Sequence, residues 1–341
     1  MRGVVAIDIG RSAVKCMGCG VFKKPDGGIE HKRVSFLSPA VAFPAISIGD
    51  EVGAERSRAE TVYLHGTPWF FGKTAEAQSL GNHSTGLSAS WIESDEHSVL
   101  FLGAIKRLED LGMIDVTESL FVLGLPTDQH SAKKGQLKQI LGGLYPGIEI
   151  LVSPQPSGAL HRDILTEKGM ENIGRSLSTE SVAVVEVGCF TTDFILYQNG
   201  EWIEQGAYTT VGVKVAAERL IKLLAENHDA EVGFSESQEI LISKKLIKFG
   251  DLIDVSDEVE IAKAVLSSKI ADEADRLFPR AVARKLSKII VAGGGAPLVV
   301  DRLKAKWPHV VMLPDHRIAI ADGFCRLGSR ILMARAIAGQ R

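Results

Sequence analysis

The sequence reads DIGRSAVK at residues 8–15, EVGCFTTD at residues 186–193 and IVAGGGAP at residues 290–297. Each stretch continues an apolar run rich in β-branched residues, which is typical of a buried strand. Each then turns through glycine, and a turn without a Cβ lets backbone N–H groups approach the oxygens of a phosphate. Two of the three turns also carry acidic residues. The pattern predicts a nucleotide held in a cleft.

These stretches resemble the nucleotide-binding motifs of the superfamily that includes actin, heat-shock chaperones and sugar kinases. The phosphate-1 motif, Asp-x-Gly-x-x-x-x-Lys, is matched by Asp8, Gly10 and Lys15. The phosphate-2 motif, Asp-x-Gly-x-x-Thr-x-Asp, is matched by Gly188, Thr191 and Asp193, with Glu186 in place of its first acid. The adenosine motif resembles Gly293, Gly294 and Gly295.

Three further segments are similar to the ParM/StbA group of plasmid-segregation actins. They are VLGLP at residues 122–126, SPQPSGA at residues 153–159 and ADGF at residues 321–324. The resemblance runs from about residue 4 to about residue 330. It implies an α/β, two-lobed actin-like ATPase fold, in which duplicated ribonuclease H-like domains surround a nucleotide cleft.

The length of 341 residues suggests about two domains. We predict a first domain at residues 1–157, with a small inserted subdomain at about 35–75. A C-terminal helix at 318–341 is expected to pack back on it. The second domain is predicted at 158–317, with a small subdomain at about 226–257. A strand–turn–strand unit with an acid at its tip occurs at both Asp8 and Glu186, as duplicated lobes would leave behind.

Periodicity and turn residues predict the main elements between these motifs. Helices are expected at 95–111, 131–142, 157–169, 213–225 and 258–278. Strands are expected at 119–125, 148–153, 182–187 and 288–292. The pair Asn199-Gly200 predicts a tight turn that joins the second phosphate strand to a strand at 203–208.

Composition limits the partners and the compartment. The net charge is −3, so the chain lacks the basic excess that direct nucleic-acid binding favours. No apolar run approaches the length of a membrane span, and Asp8 interrupts the first apolar run, which disfavours a signal peptide. We therefore expect a cytoplasmic protein that contacts neither nucleic acid nor membrane directly.

The resemblance implies a set of side chains around ATP and, after hydrolysis, ADP. Nucleotide contacts are expected from Gly10, Arg11, Ser12, Lys15, Gly188, Cys189, Phe190, Thr191, Asp193, Lys214, Glu218, Gly293, Gly294 and Gly295. Carboxylates suit Mg²⁺, which keeps several of its waters, so the metal is expected near Asp8, Glu186 and Asp193. An ordinary loop at 293–295 and a solvent-exposed Lys214–Glu218 pair remain alternatives.

Gln155, Glu186 and Asp8 are the expected catalytic residues. ParM-like proteins usually carry a glutamate at the position of Gln155, where it orients the attacking water, whereas actins carry glutamine. A neutral amide orients water but does not remove its proton at pH 7. We therefore expect slow hydrolysis of ATP.

The four cysteines leave a metal alternative open. Cys16 and Cys19 have the spacing of a zinc or redox pair, and Cys189 and Cys325 would formally complete four thiolates. The competing interpretation is that these cysteines are small buried residues. The lack of a second Cys-x-x-Cys favours burial.

The favoured function is that of a filament-forming ATPase in plasmid DNA segregation. Its expected partners are further copies of itself, joined head to tail, and a DNA-binding adaptor on the plasmid. Two alternatives remain: a non-filamentous actin-like adaptor ATPase, and a small-molecule kinase of the same superfamily. The kinase would need a catalytic Asp beside a polar pocket, and the sequence gives no convincing candidate.

Overall fold

The computed structural model describes residues 3–80, 90–114 and 116–339. In chain order the strands are β1 (Val4–Ile9), β2 (Ala13–Lys23), β3 (Ile29–Pro39), β4 (Ala42–Pro44), β5 (Thr61–Leu64), β6 (Thr67–Phe71), β7 (Leu120–Leu125), β8 (Glu149–Pro154), β9 (Val182–Val187), β10 (Thr191–Gln198), β11 (Glu201–Trp202), β12 (Tyr208–Val211), β13 (Lys245–Lys248), β14 (Asp251–Asp254), β15 (Lys288–Ala292) and β16 (Val310–Met312).

The helices are α1 (Glu51–Ala59), α2 (Gly72–Ser79), α3 (Asp95–Asp110), α4 (Thr127–Leu144), α5 (Gln155–Ile164), α6 (Lys214–His228), α7 (Phe234–Ser243), α8 (Ser256–Leu277), α9 (Arg280–Ala283), α10 (Ala296–Lys306) and α11 (Ala319–Ile337). Among the residues that the structure describes, no helix combines the length and the apolar character needed to cross a bilayer.

The chain forms two compact units. The first contains the residues up to Leu177 together with those from Arg317, and the second is Ser178–His316. The first unit extends past the boundary at 157 that the sequence predicts, because α5 packs along α11. The predicted helix 318–341 is α11, which packs on β1, β2 and β7. Residues 340–341 of that prediction lie outside the described residues.

The first unit is built on a five-stranded sheet with the order β3-β2-β1-β7-β8. The first three strands form an antiparallel meander, and β7 and β8 run parallel to β1. Every residue of β1 is buried, which explains its uninterrupted apolar pattern around Asp8. Val5 and Ile7 join the core under α3, whereas Val4, on the opposite face, contacts α11.

The second unit repeats this topology. Its sheet has the order β11-β10-β9-β15-β16, with β12 also paired to β10. A meander again comes first, and β15 and β16 again run parallel to the first strand. The core beneath it is formed by the buried faces of α6, α8 and α10. The equal strand order in the two sheets confirms the predicted two-lobed α/β fold with duplicated domains.

Most predicted elements are present, with shifts at their ends. Helix α4 begins at Thr127 rather than 131, and α5 covers Gln155–Ile164 rather than 157–169. Pro156 lies in the first turn of α5, where a missing N–H costs nothing. Leu165 is extended and ends the helix. Gly169 has a φ of 79°, which a continued helix does not allow.

The predicted hairpin after β10 is correct at its turn and wrong in its second strand. Asn199 and Gly200 have φ angles of 51° and 78°, as a two-residue hairpin turn requires. Only Glu201 and Trp202 pair back onto β10 before a short 3-10 turn at Glu204–Gly206. Pairing resumes in β12, so the predicted strand 203–208 is divided by that turn.

Two small groups of elements extend from the main sheets. In the first unit, β4, β6 and β5 form a three-stranded sheet beside α1 and α2. In the second unit, α7 precedes the two-stranded hairpin of β13 and β14. These elements occupy the segments predicted as small subdomains at about 35–75 and 226–257.

Candidate functional site

The turn between β1 and β2 carries the phosphate-1 residues. The N–H of Gly10 donates to the carbonyl of Ala13 at 3.1 Å and closes the turn. A Cβ at residue 10 would lie 2.8 Å from Nζ of Lys15 and 3.0 Å from that carbonyl oxygen. A side chain at residue 10 would therefore crowd the Lys15 ammonium and the carbonyl that closes the turn.

Asp8 is a buried carboxylate held by two side chains. Its exposed fraction is 1 %. Lys15, its cross-strand partner, donates from Nζ to Oδ2 at 2.8 Å. Gln155 donates from Nε2 to Oδ1 at 2.7 Å. A buried carboxylate is costly unless it is paired and hydrogen-bonded, and Asp8 has both kinds of partner.

Gln155 reaches Asp8 because of where α5 begins. The residue follows β8 directly and forms the first position of the helix, so its side chain lies at the carboxyl edge of the sheet. Gly124, near the end of β7, lies beneath it: a Cβ there would be 2.7 Å from Cγ of Gln155. The glycine of the VLGLP segment thus makes room for the glutamine.

The other two residues of this turn differ in exposure. Ser12 is exposed, and its carbonyl accepts a hydrogen bond of 3.1 Å from the N–H of Ala40. Arg11 is half-buried, and burial lowers its pKa, while the carboxylate of Asp128 at the start of α4 acts in the opposite direction. Asp128 was not among the predicted site residues, and its position in a helical first turn gave no signal.

The turn between β9 and β10 has the same construction. The N–H of Gly188 donates to the carbonyl of Thr191 at 2.8 Å, as Gly10 donates to Ala13. Glu186 and Asp193 are paired across the two strands, as Asp8 and Lys15 are in the first unit. The second turn therefore carries an acid where the first carries a lysine.

Asp193 is completely buried and hydrogen-bonded by threonines. Thr191 donates to its Oδ2 at 3.0 Å, and Thr209 of β12 donates to its Oδ1 at 2.8 Å. These contacts fix Asp193 within the turn and the neighbouring strand. Its role in the structure is to hold the turn in place.

The carbonyl groups of the second turn are bound by the chain that leads into α6. Gly212, Val213 and Lys214 donate from their N–H groups to the carbonyls of Phe190, Gly188 and Cys189 at 2.9, 3.0 and 2.7 Å. A Cβ at Gly212 would lie 2.6 Å from the Gly188 oxygen. Gly212 was not predicted as a site residue, because a glycine between a strand and a helix is common in loops.

The Gly293–Gly295 loop joins the same edge of the second sheet. Gly293 has a φ of 90°, and a Cβ there would lie 2.7 Å from Oε1 of Glu186. The N–H of Gly295 donates to the carbonyl of Val187 at 2.9 Å. The buried carboxylate of Glu186 thus lies between the phosphate-2 turn and the glycine loop.

His316 is a third residue at the site that was not predicted from the sequence, after Asp128 and Gly212. Its Nδ1 lies 2.7 Å from the carbonyl oxygen of Gly293, and its own carbonyl accepts from the Gly293 N–H at 3.0 Å. The two bonds hold Gly293 in its left-handed conformation. Gly294 is exposed, with open space where its Cβ would lie.

Lys214 and Glu218, two of the expected nucleotide contacts, form an ion pair with each other in this structure. Their charged atoms are 3.5 Å apart on successive turns of α6. The Lys214 ammonium also lies 5.6 Å from the ring centre of Phe190, which packs on Phe234. Cys189 donates to Oε1 of Gln238 at 3.3 Å. The side chains of the turn are therefore anchored on α6 and α7.

The expected metal ligands are distributed over both units, with Asp8 in the first and Glu186 and Asp193 in the second. Hard carboxylate oxygens are the donors that Mg²⁺ prefers, and each Asp8 oxygen has a further lone pair beside its present hydrogen bond. Within residues 3–80, 90–114 and 116–339, no three His, Cys, Asp or Glu side chains form a metal-binding group. By donor type alone, the carboxylate of Asp8 in the first unit and that of Glu186 in the second each suit Mg²⁺ or its bound waters.

The zinc alternative is wrong. Cys16 and Cys19 are three positions apart in β2, so their side chains lie on opposite faces of the sheet. Cys16 belongs to the core under α3, where burial raises the pKa of its thiol. Cys189 belongs to the other unit and is hydrogen-bonded to Gln238.

Comparisons with known proteins agree with this architecture. A family model described as "actin like proteins N terminal domain" matches residues 6–154. A second, described as "archaeal actin homologue MreB-like, C-terminal", matches residues 184–305. The comparison with curated proteins finds no match.

Solved structures share the fold over almost the whole chain. A 15-stranded ParM filament from Clostridium botulinum has a TM-score of 0.73 at 19% identity, covering 96% of this chain and 99% of the other. An archaeal actin homologue in complex with ADP has a TM-score of 0.66 at 20% identity, covering 97% and 99%. A MamK double helical filament has a TM-score of 0.66 at 20% identity, covering 98% and 99%.

The fold class is therefore two-lobed and actin-like, as in ParM and the archaeal actin homologue. The first unit matches a family model of actin-like N-terminal domains, and the second matches a model of MreB-like C-terminal domains of actin homologues.

Proposed function

We propose that this actin-like protein binds ATP with Mg²⁺, hydrolyses it slowly and assembles head to tail into filaments. One observation carries the proposal: each unit ends its first strand in the same glycine-closed turn beside a buried acid. Gly10 donates to Ala13 in one turn, and Gly188 donates to Thr191 in the other. Such turns are suited to binding phosphate oxygens through the backbone.

The charged side chains at the first turn also support nucleotide binding. Lys15 lies over Gly10 and is available to a phosphate as a point charge, while Asp8 supplies carboxylate oxygens toward Mg²⁺ or its waters. Mg²⁺ supplies charge neutralisation to the phosphates when bound. In the second unit, Glu186 and the exposed Gly294 form the corresponding polar edge.

Slow hydrolysis follows from the position of Gln155. Its Nε2 donates to Asp8, so its Oε1 is the atom that orients a water. An amide oxygen accepts a hydrogen bond from water but does not take up the proton as a carboxylate base does. Asp8 and Glu186 complete the proposed catalytic set.

Filament formation is proposed because ParM and MamK, with which the chain shares its fold, were solved as filaments. Repetition of one head-to-tail contact gives an open polymer. A role in plasmid segregation, through a DNA-binding adaptor in the cytoplasm, is supported by the resemblance of residues 122–126, 153–159 and 321–324 to ParM/StbA proteins. The adaptor is needed because a net charge of −3 disfavours direct DNA binding.

Electron microscopy of purified protein, with and without Mg-ATP, tests the proposal. We expect filaments and a pelletable polymer with Mg-ATP above a threshold concentration, followed by disassembly as ATP is consumed. Nucleotide binding without polymer at about tens of micromolar protein would favour the adaptor alternative. Transfer of phosphate to a sugar or to acetate would favour the kinase alternative.

A further inference from the structure

Two cysteines of the first unit lie opposite each other where α11 covers the sheet. Cys19 is on β2 and Cys325 is on α11. Cys325 is completely buried, whereas Cys19 is partly exposed. Both are free thiols. The nucleotide-binding proposal uses neither of them.

The strand register explains why the two thiols meet. Cys19 is the cross-strand partner of Val4 on one side and of Arg33 on the other, so all three side chains point to the same face. On α11, Gly328 packs against Val4 and Asp322 pairs with Arg33. Cys325 lies three residues after Asp322 and three before Gly328, so it is on the same face of α11. It therefore faces Cys19 on the sheet.

The two thiols lie close enough to shift each other's pKa. Cys325, with help from the nearby Arg33 guanidinium and against the effects of burial and Glu167, lowers the pKa of Cys19 to about 7. Cys19 and complete burial raise the pKa of Cys325 well above its ordinary value. Cys19 is thus the nucleophilic thiolate, and Cys325 remains a protonated neighbour.

Arg33 is held rigidly beside this pair. It donates to the carbonyl oxygen of Glu167 at 3.1 Å and to the carboxylate of Asp322. Asp322 is also bound by Arg162 and Arg326, so its charge is compensated by three guanidinium groups. A fixed cation next to a partly exposed thiol is the environment of an oxidation-sensitive cysteine.

We propose that Cys19 and Cys325 form a peroxide-sensitive dithiol that oxidises to an intramolecular disulfide between β2 and α11. The Cys19 thiolate attacks one oxygen of hydrogen peroxide, the O–O bond breaks, and the released hydroxide takes up a proton to become water. Cys19 is then a sulfenic acid, oxidised by two electrons. The Cys325 thiol attacks its sulfur, the S–O bond breaks, and the hydroxyl leaves as water with the Cys325 proton.

The test uses the full chain and hydrogen peroxide at pH 7.5. After treatment, free thiols are blocked with N-ethylmaleimide under denaturing conditions, and the tryptic peptides are analysed by mass spectrometry. We expect a peptide pair joined through Cys19 and Cys325, two hydrogens lighter than the reduced pair, that dithiothreitol separates. Cys189→Ser is the matched control and should leave this crosslink in place.

Two variants separate the oxidation of Cys19 from the attack by Cys325. Cys325→Ser should stop the reaction at the sulfenic acid, so that dimedone labels Cys19 several-fold more than in the wild type. Cys19→Ser should leave Cys325 reduced after the same treatment. The proposal is overturned if wild-type Cys19 and Cys325 both remain alkylatable while Cys189 is oxidised. It is also overturned if Cys325 reacts with peroxide equally well without Cys19.

Discussion

The side-chain amide of Gln155 donates a hydrogen bond of 2.7 Å to Oδ1 of Asp8, across 147 residues of sequence. The other carboxylate oxygen is paired with Lys15 at 2.8 Å. The proposed water-orienting residue and the proposed metal-facing acid are therefore parts of one hydrogen-bonded group. A substitution at either one changes the environment of the other.

Asp8→Ala should abolish most Mg²⁺-dependent ATP binding, because the triphosphate charge loses a metal-facing carboxylate. It should also lower the free energy of unfolding by about 3 kcal/mol, since the substitution breaks a largely buried ion pair with Lys15. Calorimetry with Mg-ATP and urea unfolding measure the two effects. Asp110→Ala, which removes an exposed pair with Lys106, is the control and should change stability by about 0–1 kcal/mol. Unchanged ATP affinity in Asp8→Ala would remove the phosphate-1 assignment.

Gln155→Ala should retain nucleotide and hydrolyse it at least about tenfold more slowly, because one water-orienting contact contributes on the order of 1–3 kcal/mol to the transition state. Phosphate release at saturating ATP measures this rate, with affinity determined separately. Gln139→Ala, on the exposed face of α4, should match the wild type. If Gln155→Ala turns over at the wild-type rate, the water is held elsewhere, and Glu186 becomes the next residue to test.

Gly323→Ala should destabilise the first unit by about 1–3 kcal/mol or more, because the new methyl would meet the carbonyl oxygen of Gly158 where α5 and α11 cross. Gly158 is equally confined, since a Cβ there would lie 2.6 Å from the Ile320 oxygen. Gly135→Ala is the matched control: its Cβ meets nothing within 4 Å, and better helix propensity should stabilise the chain by up to about 1 kcal/mol. Urea unfolding should therefore show shifts of opposite sign, and equal shifts would contradict the close crossing.

Stability should fall as the pH is lowered from about 6.5 toward 4, partly through His97. Burial in α3 lowers the pKa of His97 to about 4, so in this window the unfolded chain binds a proton that the folded chain excludes. His97→Phe keeps an aromatic ring beside Trp91, whose ring centre is 5.6 Å from that of His97. The substitution should make the free energy of unfolding fall less steeply as the pH is lowered. His161 is also buried, and its pKa is also lowered to about 4. It should account for part of the pH dependence of stability that remains in His97→Phe. Urea unfolding at pH 7.5 and pH 5 measures the difference; an unaltered slope in His97→Phe would contradict the assignment.

Local sequence patterns were sufficient to predict the parts of the fold that depend on few neighbours. The turn at Gly10 and its counterpart at Gly188 each lie between consecutive strands, so glycine and the strand pattern determine them together. The order of the motifs also predicted the duplication. The strand predicted at 203–208 failed because a 3-10 turn ending at Gly206, packed against Leu196, divides it.

Contacts between distant segments could not be predicted in the same way. The bond between Gln155 and Asp8 depends on where α5 begins, and the binding of the Gly188 carbonyl by Val213 depends on the end of β12. Spacing alone predicted that Lys214 and Glu218 lie on one side of a helix, and the structure places their charged atoms 3.5 Å apart. These contacts depend on how distant elements pack against each other, which residue spacing along the chain does not specify.

The division of the first unit between two separated segments has a consequence for synthesis on the ribosome. The second unit, Ser178–His316, is continuous and is complete before α11 has been translated. Until then, the face of β1 that carries Val4 lacks the helix that covers it. A nascent chain halted before Arg317 would therefore combine a finished second unit with an uncovered apolar sheet face, which is a surface that chaperones recognise and that promotes aggregation.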